Sequence, residues 1–457
     1  MNKARRKFIQ SAAAVGAGLL AGGKAIAAQQ EKQMQDMPGM QHMQHEKKKA
    51  EEKPVRQVSQ LGIALPVETP DVPNLPYTVE NGVKVFNLVA EPVKRQLVPF
   101  KMMDVWGFNR SCPGPTIQVN QGDRVRIIFD NHLPESTTVH WHGLEVPLAM
   151  DGVPYISQKP VPPGGRYVYE FTLHQEGTYF YHSHGAMQEM MGMIGLFLLH
   201  PQKPYKPRVD HDFGIVLQEW AILPNNTVPN TANMEFNWLT FNGVSGPAAT
   251  PLVVRLGSRV RIRIVNLGMD HHPIHLHGHQ FVITGTEGGR APESTWYPQN
   301  TVLVGVAQAR DIEFDAKYPG DWMLHCHLPH HMMNSMSDLL QDRMVTTAST
   351  NDPQALSQMQ TLAESIGVEH VHHALIAPDA SSVPGFPQDA FMEMGMDEAV
   401  AKPETYGLPR NWSANVMGMM ALVRVLPPEK YDEIMALKQR GLPKKPADKP
   451  AAKHKHG

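Results

Sequence analysis

His325-Cys326-His327-Leu328-Pro329-His330-His331-Met332-Met333-Asn334-Ser335-Met336 decides how the rest of the sequence is read. A thiolate between two imidazoles, a third imidazole five residues later and a thioether ten residues later supply cysteine, histidine and weak axial methionine, the ligand chemistry of a blue-copper electron-transfer site. Alternate residues of an extended strand point to opposite faces. Cys326 is therefore expected to serve one metal while His325 and His327 reach away from it toward others. An electron donor then lies two covalent steps from an acceptor cluster.

Working outward, the chain contains a duplication whose register can be counted. Gly122-Asp123-Arg124-Val125-Arg126-Ile127 recurs 135 residues later as Gly257-Ser258-Arg259-Val260-Arg261-Ile262. At the same offset Asn131 meets Asn266, and His140-Trp141-His142-Gly143 meets His275-Leu276-His277-Gly278. Gly177-Thr178-Tyr179-Phe180-Tyr181-His182-Ser183-His184 matches Gly320-Asp321-Trp322-Met323-Leu324-His325-Cys326-His327 at an offset of 143. Short alternating runs such as Arg124 to Phe129, Tyr167 to Leu173 and Val260 to Val265, punctuated by Pro and Gly, predict an all-β fold of two Greek-key β-sandwiches. Carried back to the first copy, His272 falls on Thr137, Cys326 on Ser183, His331 on Gln188 and Met336 on Met193. The first copy has thus lost the thiolate and both imidazoles of one site. The paired histidines survive in both copies and belong to a second, shared site.

Composition supports this reading and excludes others. With 42 Lys and Arg against 44 Asp and Glu, no nucleic-acid partner is implied. The 24 His, 27 Met, 39 Pro and 36 Gly, with only 7% aromatics, favour a loop-rich β protein carrying metal ligands. Only two cysteines are present, one of them in the metal motif, so no disulfide is expected. Cys112, in Ser111-Cys112-Pro113-Gly114-Pro115, reads as a small buried residue near a turn.

The ends read differently from the repeats. Residues 1–27 resemble a twin-arginine export signal: Arg5-Arg6-Lys7-Phe8-Ile9, a mild apolar run from Ala12 to Leu20, and a small-x-small cleavage pattern at Ala25-Ile26-Ala27. Export to the periplasm is the expectation, with no membrane span, because no segment is long and apolar enough. Residues 28–75 form a Met/His-rich, then charged, flexible linker (Met34, Met37, Met40, His42, Met43, His45). The first sandwich is placed at residues 76–203 and the second at 204–348. A Met-rich extension at 349–457 is expected to be partly helical and to pack partly on the sandwich, with helices from Asp352 to Ile366 and from Leu426 to Arg440 and a disordered tail.

Four motifs carry the chemistry: His140-x-His142-Gly143, His182-x-His184, His272-x-x-His275-x-His277 and His325-Cys326-His327-x-x-x-His331-x-x-x-x-Met336. In this order and spacing they resemble the multicopper oxidases, over roughly residues 76 to 345. His140 and Cys326 are only 186 residues apart, leaving no room for the extra domain of three-domain laccases, so the resemblance is to the two-domain, small-laccase-like branch. It implies two cupredoxin-like domains and four coppers per chain. His272, Cys326, His331 and axial Met336 would bind the type 1 copper, and His140 and His275 the type 2 copper. His142, His182 and His327 would hold one type 3 copper, and His184, His277 and His325 the other. Asp151, before Gly152, matches an aspartate near the type 2 copper in the family, where protons must arrive, although Asp before Gly is also an ordinary turn residue. His132, His271, His279 and His330 fall outside the ligand register.

The function implied is oxidation of a reducing substrate one electron at a time, with dioxygen reduced to water, and a role in copper tolerance is the expectation. Phenols, aromatic amines, Mn(II) and Cu(I) all stay open as donors. Two-domain relatives build the trinuclear cluster between subunits, which implies a homotrimer. A copper-sequestering protein is the non-enzymatic alternative, encouraged by the Met-rich ends; storage needs no copper wired through a cysteine. A copper nitrite reductase fits less well, because it would carry its blue copper in the first copy.

Overall fold

In a computed structural model, residues 63, 65–99, 101–222, 226–332 and 396–442 are described. Both copies are β-sandwiches. In the first, a sheet of Tyr77–Glu80, Val83–Val98, Arg124–Asn131 and Arg166–Thr172, with Lys101–Phe108 paired to Val83–Val98, packs on Gly114–Asn120, Ile194–His200, Gly177–Ser183 and Val139–His142. Arg124–Asn131 shows why the sequence folds so: Val125, Ile127 and Phe129 are fully buried while the residues between them are not, the period of a strand with one wet face.

The second sandwich repeats the plan. Its larger sheet is built on Trp238–Phe241, His211–Trp220, Arg259–Asn266, Gln308–Asp315 and Phe281–Thr286. The facing sheet runs Leu252–Arg255, Met420–Leu426, Gly320–Cys326, His272–Leu276, Thr301–Val304. The duplication holds at the level of register: Val83–Val98 pairs in parallel with Arg124–Asn131 so that Ala90 meets Asn131, and His211–Trp220 pairs in parallel with Arg259–Asn266 so that Leu217 meets Asn266.

The strand Met420–Leu426 corrects the expected boundary at residue 348. It lies parallel to Leu252–Arg255 and antiparallel to Gly320–Cys326, so the extension, expected to pack partly on the sandwich, instead supplies one of its strands. Parallel pairing requires a long connection, and a closing strand that arrives after a long connection gives no local signal of its partner. Beyond it the helix Pro428–Arg440 buries Ile434 and Leu437 against Val253 and Leu426. The expected helix from Asp352 to Ile366, the signal at 1–27 and the Met/His-rich residues 34–45 lie outside the described residues, but the end of the expected flexible linker at 28–75 is part of the fold: Val67 and Leu75 are buried, and Glu68 exchanges backbone hydrogen bonds with Asp212 and Gly214.

The two sandwiches share an interface. Ile194–His200 is buried along its whole length: Phe197 and Leu199 face their own core, while Ile194, Leu196 and Leu198 pack with Val216, Val265 and Leu267 of the second copy. Buried charge crosses beside this seam. Arg263 donates to Asp212 at 2.9 and 3.0 Å and to Thr178 at 2.8 Å, and Thr178 donates to Asp311 at 2.7 Å, so each desolvated charge has a partner. Among the described residues no helix is long and apolar enough to cross a membrane.

Candidate metal centre

Cys326 ends the strand Gly320–Cys326, and His272 begins the strand His272–Leu276 that pairs with it. His331 sits in the short 3-10 turn Pro329–Met332 that follows. Together they form a fully buried trio: Cys326 Sγ lies 3.6 Å from His272 Nδ1 and 3.4 Å from His331 Nδ1, and the two Nδ1 atoms are 3.2 Å apart. Ligands bound at about 2.0–2.3 Å to one tetrahedral metal would be roughly 3.3–3.5 Å apart, so these three atoms fit around a single ion.

The opposite edge of each imidazole is held by a carboxylate that the sequence reading did not single out. His272 Nε2 is 3.1 Å from Glu219 Oε2 and His331 Nε2 is 3.5 Å from Asp270 Oδ2, which turns both Nδ1 atoms toward the sulfur. Glu219 is buried and also accepts from the backbone N–H groups of Met269 and Asp270. A glutamate closing the apolar strand His211–Trp220 was the available signal. Burial pushes the Cys326 thiol up to about 12 and His331 down to about 3. A neutral imidazole is a ready ligand, whereas the thiolate needs a cation to form.

The remaining eight histidines fall into two sets of four. In the first copy, His140, His142, His182 and His184 stand ring against ring at centroid distances of 5.3 to 6.3 Å. His275, His277, His325 and His327 do the same in the second copy, at 4.8 to 5.7 Å. The supports repeat across the copies. His140 Nδ1 donates to the Asp151 carbonyl and His275 Nδ1 to the Asn300 carbonyl, both at 2.7 Å. His182 Nδ1 donates to the Ser183 carbonyl and His325 Nδ1 to the Cys326 carbonyl, both at 2.8 Å. Each fixed Nδ1 leaves Nε2 free for a metal.

Within the sets, His142 Nδ1 lies 3.3 Å from His182 Nε2, and His277 Nε2 lies 3.0 Å from His325 Nε2. Both spacings suit two ligands of one ion. Burial lowers His142 to about 4, with His182 and His140 adding to the effect. His184 and His327 are exposed. Among the described residues, no hydrogen bond or ring contact joins one set to the other.

Other residues resolve more simply. Asp151 places its carboxylate 3.4 Å from His140 Nδ1. His279 is buried against Phe314, Tyr318 and Trp322, and His271 accepts from the Val306 N–H. Cys112 is buried and free. Met336 lies outside the described residues.

Two family models described as multicopper oxidase match this chain, over residues 92–204 and 222–343. Copper resistance protein A of Pseudomonas syringae pv. tomato is 39% identical over 113 residues, covering 25% of this chain and 19% of that protein. Laccase-1 of Cryptococcus neoformans var. neoformans serotype D is 42% identical over 209 residues, 37% of this chain and 34% of that protein. Among solved structures, the blue copper oxidase from Nitrosomonas europaea superposes with a TM-score of 0.51 at 29% identity, covering 55% of this chain and 81% of that one. The chain spans about a fifth of the first of these curated relatives and about a third of the second.

Proposed function

The chain belongs to the multicopper oxidase family, and on that premise we propose that it is a copper-dependent oxidase: it takes single electrons from a reducing substrate at Cys326 and reduces dioxygen to water at a cluster of three coppers. The observation that carries this reading is the position of Cys326. Its sulfur faces His272 and His331, while its immediate chain neighbours His325 and His327 belong to a separate histidine set. Bound copper would supply one-electron uptake at the first centre and four-electron reduction of dioxygen at the second.

The chain's own residues set the terms. Glu219 and Asp270 hold His272 and His331 with Nδ1 toward the sulfur. The backbone on either side of Cys326 gives a covalent route to the cluster histidines. His140 and His275, each anchored by a backbone carbonyl, would hold the type 2 copper; His142, His182 and His327 would hold one type 3 copper, and His184, His277 and His325 the other. Asp151 would pass protons toward that site, a role supported by its carboxylate lying beside His140.

Assembly follows from the two histidine sets. Two sets of four histidines that do not meet within the chain are completed if the first copy of one subunit docks on the second copy of the next. That head-to-tail contact must close into a ring, and a homotrimer with three clusters is the proposed form. Mixing inactive His140→Ala subunits with inactive His327→Ala subunits should restore part of the activity, since some neighbouring pairs then carry no defect. An active monomer would overturn the trimer.

Soft methionine ligands select Cu(I), and the Met-rich segments together with a relative named for copper resistance favour Cu(I) as donor and a periplasmic role in copper tolerance. The test is dioxygen uptake by the copper-loaded protein with Cu(I) or with a phenol as donor. Uptake with neither would sink the oxidase reading and favour copper sequestration, and strong preference for the phenol would remove the copper-tolerance role.

A further inference from the structure

Resting on the reading of Cys326 as a type 1 copper ligand, we infer that the axial ligand of that copper is Met419, and not Met336, which stands at the expected spacing in the sequence. The two copies make the argument. In the first copy Met193 follows Ser183 by ten residues, as Met336 follows Cys326. Its structural role, however, is set by backbone bonds: the Ser183 N–H donates to the Met193 carbonyl at 2.9 Å, and the Met193 N–H donates to the Gln188 carbonyl at 3.3 Å. Met193 is thereby tied to the positions equivalent to Cys326 and His331.

In the second copy Met419 holds both of those bonds. The Cys326 N–H donates to the Met419 carbonyl at 3.0 Å, and the Met419 N–H donates to the His331 carbonyl at 2.9 Å. The flanking residues agree as well. A glycine with positive φ precedes each methionine, Gly192 at 108° and Gly418 at 63°. The carbonyl of each glycine accepts from the residue two positions on, Ile194 or Met420, at 2.9 Å in both copies. Ile194 pairs with His182, and Met420 pairs with His325.

The face is right too. Residues directly opposite across antiparallel strands point to the same side, and side chains alternate along each strand. With Met420 opposite His325 and Ala421 opposite Leu324, Met419 falls on the face of Leu324 and Cys326. All four of Met419, Ala421, Leu324 and Cys326 lie in one buried core, and Met419 is wholly inaccessible to solvent. Met420 turns the other way, into a separate cluster with Met323 and Met332. The type 1 site is thus closed by a methionine 93 residues after its cysteine, immediately before the strand that completes the second sandwich.

The axial ligand of such a site tunes its potential. Replacing the weak thioether by a hydrocarbon lowers the coordination number, which Cu(I) tolerates better than Cu(II), and replacing it by an amide oxygen adds a harder donor that suits Cu(II). In the copper-loaded full-length protein, Met419→Leu, a swap of similar volume, should stay blue and shift the type 1 redox equilibrium tenfold or more toward Cu(I). Met419→Gln should shift it toward Cu(II). Met336→Leu should leave the potential and the electron paramagnetic resonance spectrum of that copper unchanged. A shift in Met336→Leu with none in Met419→Leu, or no shift in either, overturns the assignment. Should the Met419 variants not fold, selenomethionine-labelled Met336→Leu decides by X-ray absorption: a copper–selenium contact persists if Met419 is the ligand and is lost if it is not. A wild-type protein that binds copper without turning blue would instead refute the oxidase reading itself.

Discussion

The corresponding corners of the two sandwiches differ in chemistry and hardly at all in wiring. In the second copy, His272, Cys326 and His331 turn nitrogen and sulfur inward. In the first, Thr137, Ser183 and Gln188 occupy those places and satisfy one another, with Thr137 Oγ1 3.1 Å from Ser183 Oγ and Ser183 donating to Gln188 Oε1 at 2.7 Å. Even the outer partners correspond. Gln188 donates to Glu135 at 3.3 Å where His331 meets Asp270, and Asn131 and Asn266 each donate to the carbonyl of that acid, Glu135 or Asp270, at 2.8 Å. One element has no counterpart: Pro92 stands two residues past the partner of Asn131, as Glu219 stands two past the partner of Asn266. The frame therefore folds around either a closed polar cluster or a metal, and the carboxylate appears only where a metal is expected.

Turning the second corner into the first is the severest test of that contrast. Cys326→Ser recreates the residue found at Ser183 and removes the only thiolate. The blue absorption and turnover should vanish, with copper content falling from about four to about three per chain. A variant that stays blue on visible spectroscopy would contradict the assignment of the centre.

Removing the element unique to the second copy should cost less. Glu219→Gln keeps the side-chain shape and an oxygen for the Met269 and Asp270 N–H groups, but it faces the His272 Nε2–H with a donor or an uncharged acceptor. Partners of this kind are worth about 10–100-fold in metal affinity. Competition with a chelator should show that loss at the Cys326 centre alone. Equal affinity in the variant would reduce Glu219 to a structural anchor of the loop at Met269.

These contrasts also mark what the sequence could and could not disclose. The repeat offsets placed His272 opposite Thr137 and Cys326 opposite Ser183, because strand register ties sequence distance to position. The alternating faces of the strand ending at Cys326 were legible for the same reason. Glu219 was not, since its partner His272 lies 53 residues away and nothing local marks the pairing. The strand Met420–Leu426 was missed because it begins 94 residues after Cys326, beyond the reach of the counted register. Spacing alone pointed to Met336, where backbone bonding points to Met419.

The mildest expectation concerns the first corner and asks whether its polar cluster is structural only. Ser183 Oγ donates to Gln188 Oε1 and meets Thr137 Oγ1 in a buried setting, and it accepts from the half-buried Gly185 N–H at 3.1 Å. Ser183→Ala would strand the buried Gln188 amide oxygen, and leaving such a group unpaired costs about 1–3 kcal/mol. The backbone carbonyl of residue 183 would still hold His182 Nδ1 at its present place. The apo protein should therefore melt earlier by that amount while the loaded protein keeps its blue band and its full copper complement. Loss of a copper from Ser183→Ala would mean that this corner supports the neighbouring His182 and His184 through its hydroxyl, and the two corners would then share a task beyond folding.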